Sequence, residues 1–191
     1  MLICLDPGHG GTDPGAVVGD VREADVALDY ARAIGEALET RGCTILYTRL
    51  EDNTLELAAR ARAANKAAAD AFLSVHCNAS VSRDPHGFQV FHAATSERGE
   101  ALARAIYARV TAAIGTTRWS GVHPDESPAC GGRRLYVLRA TSMPAVLLEL
   151  GFLTHPGEQS LLLQPAYRDM IARAIADGIA DWAGEGVCVT D

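Results

Sequence analysis

The sequence predicts an α/β fold: a single three-layer domain with a mainly parallel twisted sheet of about six strands and helices on both faces. Three observations carry the prediction. Short apolar runs bounded by Gly, Pro and Asp recur along the chain and read as buried strands. They alternate with segments whose apolar residues fall at helical spacing, the pattern of strand-helix-strand units. The first run, residues 2–5, ends at Asp6-Pro7-Gly8 and continues as His9-Gly10-Gly11, a loop suited to unusual backbone angles. In open α/β sheets, ligands bind at the carboxyl ends of the strands, where this loop sits.

Each element follows from local chemistry. Asp20 and Glu23 have the spacing of a capping box. Val26, Ala27, Tyr30, Ala31, Ile34 and Leu38 then mark the buried face of a helix that stops at Gly42. Residues 44–48 form the second strand. Thr54 is placed to cap an alanine-rich helix reaching about Ala69, and residues 71–77 form the third strand. Residues 87–92 alternate apolar and polar side chains, which suggests an edge or antiparallel strand. A helix carrying Leu102, Ile106, Val110 and Ala113 follows and ends at Gly115. Residues 116–132 show no periodicity and are expected to form a long functional loop. Residues 135–138 and 145–150 are expected as the last two strands. After Pro165, Tyr167, Ile171, Ile175, Ile179 and Trp182 make the closing helix.

Composition excludes several function classes. The 191 residues suffice for one well-filled core, and no linker divides them, so residues 1–191 are expected as one domain without a second unit. No run of eighteen apolar residues exists, and the first strand begins at once. Neither a membrane span nor a cleaved leader is therefore expected, and the chain is expected to be cytoplasmic as synthesised. The formal net charge is -7, Lys66 is the only lysine and no basic stripe is present, which argues against a nucleic-acid partner. The five cysteines, at 4, 43, 77, 130 and 188, have no CxxC spacing and read as reduced core residues, not a disulfide framework. A phosphate cradle at residues 8–15 is disfavoured, because the loop lacks a closing Gly-Lys-Ser/Thr and its glycines do not fit GxGxxG.

Four side chains that bind cations or move protons should gather at one sheet edge. His9 follows the first strand, His76 lies near the end of the third and Glu149 in the last, while Glu23 opens the helix after the first strand. Two histidines and one carboxylate make a catalytic zinc set, and the remaining carboxylate is left to act as base. Each residue also has a plainer reading: Glu23 as partner of Asp20 in the capping box, His76 as a core histidine, His9 as turn chemistry. Glu149 is the hardest to explain away, since a carboxylate within Val146-Leu147-Leu148-Glu149-Leu150 is costly to bury. Cys77, next to His76 on a strand, should face the other way. Of the other histidines, His86, His92 and His155 are expected at the surface or rim, and His123, in the long loop, is the best further candidate.

These residues stand in motifs that resemble a known family. DPGHGG, Glu23, Thr48-Arg49, Arg60 with Ala64-Asn65, Ser74-Val75-His76-Cys77-Asn78-Ala79, Leu135-Tyr136-Val137-Leu138-Arg139 and residues 143–153, MPAVLLELGFL, occur in the order seen in zinc-dependent N-acetylmuramoyl-L-alanine amidases of the type 3 family. The resemblance runs from about Leu2 to Ile179. It implies that His9, Glu23 and His76 bind one zinc ion and that Glu149 is the catalytic carboxylate. The implied reaction is cleavage of the amide between N-acetylmuramic acid and L-alanine of the peptidoglycan stem peptide. The departures spare all four positions: Cys77 stands where alanine is usual, and Thr154-His155 replaces Ser-Asn. The helix start lacks the usual asparagine, and the span after His76 is too short for the inhibitory helical insert of some members.

Asn78, Arg139 and His123 are further substrate-binding candidates. The oxyanion donor is expected from Arg139 or residues 116–132, and contacts that orient the histidines from Asp6 or Asn78. Arg133, Arg134 and Arg139 should cluster near the strand bordering the cleft. A monomer acting on the wall is expected, either a phage or prophage lysin released by a holin or a cytoplasmic recycling or sporulation enzyme. Alternative readings are a zinc peptidase or other amide hydrolase on the same scaffold, or a non-catalytic wall-binding module.

Overall fold

The computed structural model describes residues 1–186. Its elements are β1 (Leu2–Pro7), β2 (Val17–Val18), β3 (Val21–Arg22), α1 (Glu23–Glu39), β4 (Thr44–Tyr47), α2 (Leu57–Lys66) and β5 (Ala71–Asn78). Then come β6 (Gln89–His92), α3 (Glu97–Ile114), β7 (Gly121–Pro124), α4 (Tyr136–Ala140), β8 (Ala145–Phe152), α5 (Pro156–Leu162) and α6 (Pro165–Gly186). Six strands form one mixed sheet in the order β4-β1-β5-β8-β6-β7. Neighbouring strands are parallel except β6 and β8, which run antiparallel. β2 and β3 make a separate small antiparallel pair.

The central strands β1, β5 and β8 are apolar on both faces, as parallel strands covered on both sides must be. On one face, Ile3, Leu5, Leu73, Val75, Leu148 and Leu150 pack against Tyr30 and Ile34 of α1, Leu102 and Ile106 of α3, and Ile171, Ile175 and Ile179 of α6. Each such Leu or Ile contributes about 1.5–3 kcal/mol when fully buried. On the other face, Cys4, Phe72, Phe91 and Leu147 meet a thinner layer that includes Ala64 of α2 and Val137 and Leu138 of α4. The two sheet faces are therefore unequally covered, and the site opens on the thinner side.

Among the described residues the main sheet has six strands, but one is not where the sequence places it. Residues 135–138 do not form a strand. They lead into the short helix α4, with Val137 and Leu138 turned into the core. An apolar run of that length carries no period that separates strand from helix. The sixth strand is instead β7, inside residues 116–132, with a 3-10 turn at Pro128–Cys130. Residues 87–92 yield β6, which is antiparallel to β8 as anticipated but lies inside the sheet, with β7 as the edge.

Two predicted caps also fail. Arg22, not Asp20, occupies the N-cap of α1, and the helix begins at Glu23. Thr54 precedes α2, whose N-cap is Glu56, and its hydroxyl receives the Thr12 N–H at 2.9 Å instead. His92 is buried, not at the rim. Cys4, Cys43, Cys77 and Cys130 are free thiols, and Cys77 packs in the larger core on the face opposite His76, as strand alternation requires; Cys188 lies outside the described residues. No described helix is long and apolar enough to cross a membrane.

Candidate metal and catalytic centre

The loop after β1 carries the site, and its conformation depends on two buried arginines. Beyond Pro7 the chain leaves the sheet, so the carbonyls of Pro7, Gly8 and His9 need donors other than a neighbouring strand. Arg49 donates through Nε to Pro7 O at 3.0 Å and through Nη2 to Gly8 O at 2.7 Å. Arg60 donates to Pro7 O and His9 O, each at 2.6 Å. Asp6 balances Arg60 at 2.9 Å and also accepts from Thr48 Oγ1 at 2.6 Å and Ser74 Oγ at 2.8 Å, so this buried carboxylate is fully engaged. Asp6 thus builds the loop and does not orient a histidine. Sequence reasoning singled out Arg49 and Arg60 only as parts of motifs. Only Arg60, buried beside Ala61 and Ala64 of α2, carried a local signal, a guanidinium among small apolar residues of a helix.

The loop holds His9 in the left-handed region, φ 58°, an uncommon conformation for a residue with a side chain. Its Nδ1 lies 2.8 Å from Asp13 Oδ2, which orients the ring, and its Nε2 lies 3.1 Å from Glu23 Oε1. Glu23 is buried. Its Oε2 accepts the Ala16 N–H at 2.9 Å, and its Oε1 accepts the Cys77 N–H at 3.1 Å while standing 2.9 Å from His76 Nδ1. The carboxylate therefore serves the histidines and not a cap on Asp20. Close approach is allowed by glycine at two positions. A Cβ on Gly8 would fall 2.2 Å from the His76 ring, and one on Gly15, at φ +66°, would fall 2.6 Å from Glu23 Oε2.

His9, Glu23 and His76 each offer one ligand atom, all within 4.8 Å of one another. A tetrahedral zinc ion with bonds of about 2.0–2.1 Å places its ligand atoms about 3.3 Å apart, close to the 2.9 and 3.1 Å separations here. Electrostatics agree with a cation site. Burial opposes charge on His9, yet the hydrogen bonds and charges of Glu23 and Asp13 prevail and push its pKa up to about 9. Burial likewise opposes charge on Glu23, but His76 and His9 hold its carboxyl far below the usual carboxylate range.

Glu149 stands beside this cluster. In the parallel register of β5 and β8 it is the partner of His76, so both project from the same face, and on its other side it pairs with Gln89 of β6. Its Oε2 is buried with no hydrogen-bond partner among the described residues. Burial, helped by the charge of Glu23 and opposed by His9, pushes its pKa well above the usual carboxylate value. An acid with one buried, unpartnered oxygen in a side chain that still reaches the cleft is suited to take up and return a proton. His9, Glu23, His76, Asn78 and Glu149 all line one cleft of about 720 Å³, walled on its far side by Arg133 to Val137.

Other candidates lie elsewhere. Asn78 borders the cleft, but its side chain binds Gln89 Oε1 at 2.8 Å and the Ala79 N–H at 2.9 Å, and so orients neither histidine. His123 is on β7 against Phe91, with ring centroids 5.6 Å apart, and does not line the cleft. Arg139 is also absent from the lining and is not free to act as an oxyanion donor. Its guanidinium is held by Asp125, with one contact at 3.0 Å, and by Glu126 at 2.8 Å.

Asp125 is fully buried. It also accepts the Ala94 N–H at 2.8 Å and the Leu135 N–H at 3.3 Å, tying β7 to the start of α4. Burial would raise its pKa, but Arg139 and these N–H groups outweigh it and hold the carboxyl below the usual range. A depressed folded-state pKa stabilises the protein above the unfolded value of 3.8 and is lost as pH falls through the lower folded value. Arg139→Leu should therefore lower stability, because it removes the cation that holds the buried Asp125 carboxylate. Acid titrations by circular dichroism should show the variant losing part of the stability change that the wild type undergoes below pH 3.8.

The fold and the His-Glu-His cluster at its sheet edge define the chain as an α/β protein with a site that could hold a metal ion and, beside it, an acid with one buried oxygen. Comparison makes the assignment particular. The family model described as N-acetylmuramoyl-L-alanine amidase matches residues 3–181, and the chain belongs to that family. LytC, an N-acetylmuramoyl-L-alanine amidase of Bacillus subtilis, is 34% identical over 94% of this chain and 35% of its own length. The germination-specific N-acetylmuramoyl-L-alanine amidase of B. subtilis is 32% identical over 93% of this chain and 78% of its own. The endolysin of Bacillus phage SPP1 is 35% identical over 94% and 65%. The chain thus spans only about a third of the length of LytC.

Among solved structures, the CwlD amidase of Clostridioides difficile, in complex with the GerS lipoprotein, matches with a TM-score of 0.88 at 28% identity, covering 96% of this chain and 98% of that one. The catalytic domain of CwlV, an N-acetylmuramoyl-L-alanine amidase from Bacillus (Paenibacillus) polymyxa, matches with a TM-score of 0.85 at 28% identity, covering 96% and 98%.

Proposed function

We propose that this domain hydrolyses the amide between the lactyl group of N-acetylmuramic acid and L-alanine of the peptidoglycan stem peptide, with one zinc ion held by His9, Glu23 and His76. The observation that carries the reading is the placement of Glu149 beside that ligand set, with a buried, unpartnered oxygen. Zinc in this position supplies Lewis acidity toward the scissile carbonyl and lowers the pKa of water to about 7.

The chain's own residues do the rest. Glu149 accepts the proton of the attacking water and passes it to the leaving amine of L-alanine. Asp13 fixes the His9 ring, and Arg49 and Arg60 hold the loop that presents it, so the ligand set is preorganised. Of residues 116–132, residues 129–131 share a smaller cavity with Glu149 and are the part of that segment from which an oxyanion donor is proposed.

Retention of all four groups argues against a non-catalytic wall-binding module. A general zinc peptidase would use the same groups, and the named relatives favour the muramoyl amide over it. Because one chain supplies the whole site, a monomer suffices. The endolysin and cell-wall relatives support the wall as the place of action, and release through a holin is one route there. Purified protein should contain about one zinc per chain, lose activity on sacculi to a chelator and regain it with one equivalent of zinc. Full activity in the metal-free state would overturn the reading.

A further inference from the structure

Three described arginines line the cleft, and they differ in what holds them. Arg60 is buried and spent on Asp6 and on loop carbonyls. Arg134 is paired with Glu126 at 2.5 Å. Arg133 is exposed and makes no side-chain hydrogen bond or ion pair among the described residues, although its backbone is fixed: its carbonyl accepts the Glu126 N–H at 3.0 Å and faces the Cys130 thiol at 3.3 Å. Arg133 also lines the smaller cavity, of about 280 Å³, that Glu149 lines from the other side.

We propose that Arg133 is a specificity-determining residue that binds a stem-peptide carboxylate close to the scissile amide, so that the domain selects stems carrying that carboxylate free over stems in which it is amidated. The inference rests on the amidase reading above. A guanidinium presents a planar fork that matches a carboxylate in two parallel hydrogen bonds, and no carboxylate among the described residues pairs with this one. The carboxylate next along the stem is the α-carboxyl of a γ-linked glutamate in the second position. It lies on the leaving-group side, one residue from the bond that Glu149 serves.

The test uses two synthetic muramoyl tripeptides that differ only in a carboxylate or a carboxamide at the second stem residue. The readout is the ratio of their kcat/KM values with zinc-loaded protein. Wild type should favour the carboxylate by about fivefold, the discrimination an exposed charge-assisted pair supplies. Arg133→Gln should bring the ratio to about one, mainly through KM, and Arg133→Lys should keep part of it. A wild-type ratio near one, or a ratio unchanged in Arg133→Gln, overturns the assignment of Arg133 while leaving the amidase reading intact. A wild-type protein inert on both compounds overturns both.

Discussion

A Glu149→Gln protein is expected to fold, to keep its metal and to lose about 10²- to 10⁴-fold in kcat, the usual contribution of a positioned acid-base group. Glutamine preserves the shape of the side chain in β8, so the packing of Leu148 and Leu150 on one face and Leu147 on the other is undisturbed. What it removes is the capacity to hold a proton at a buried oxygen. Glu149 lies beside His76 in register but is not among the clustered ligand atoms, so metal content separates its role from theirs. The check is zinc analysis alongside turnover of a soluble muropeptide. Metal lost together with activity would make Glu149 a ligand, and activity retained would remove it from the chemistry.

The reverse pattern is expected at the ligand set. His9→Ala, Glu23→Ala and His76→Ala should each lose stoichiometric zinc and with it all measurable activity, because a tetrahedral site that keeps one position for water cannot spare one of three protein ligands. Asp13→Ala should be milder, with metal affinity about 10- to 100-fold lower, since Asp13 touches only the far nitrogen of His9. Titration with a competing chelator separates the two classes. Equal losses at Asp13 and His9 would mean that the loop geometry, and not ligation, is what these residues supply.

Most of the centre was legible because strand alternation and sheet topology are strong constraints. His76 and Glu149 sit in apolar runs rich in β-branched and leucine residues that read as buried strands, and parallel pairing brings them side by side. The opposite orientation of Cys77 follows from the same rule. The position of Glu23 was legible, but its local spacing to Asp20 suggested a cap. The cap failed because two histidines and the Ala16 and Cys77 N–H groups compete for the same carboxylate, and they prevail.

The rest was hidden for identifiable reasons. Leu135 to Leu138 is too short to show a period, so a helix was read as a strand, and Gly121 to Pro124, bounded by a glycine and a proline, gave no strand signal at all. Arg139 looked available because a sequence does not show that Asp125, far from it in a presumed loop, folds back to hold it. The roles of Arg49 and Arg60 depend on which carbonyls a loop leaves unpaired, and only the folded backbone reveals that.

The central claim is the identity of the bond cleaved, and the freed end groups of digested peptidoglycan test it most directly. Purified sacculi treated with the zinc-loaded protein should release stem peptides whose new amino terminus is L-alanine, one for each peptide freed, with no new reducing sugar ends. New reducing ends, or new amino termini on any other stem residue, would contradict the account.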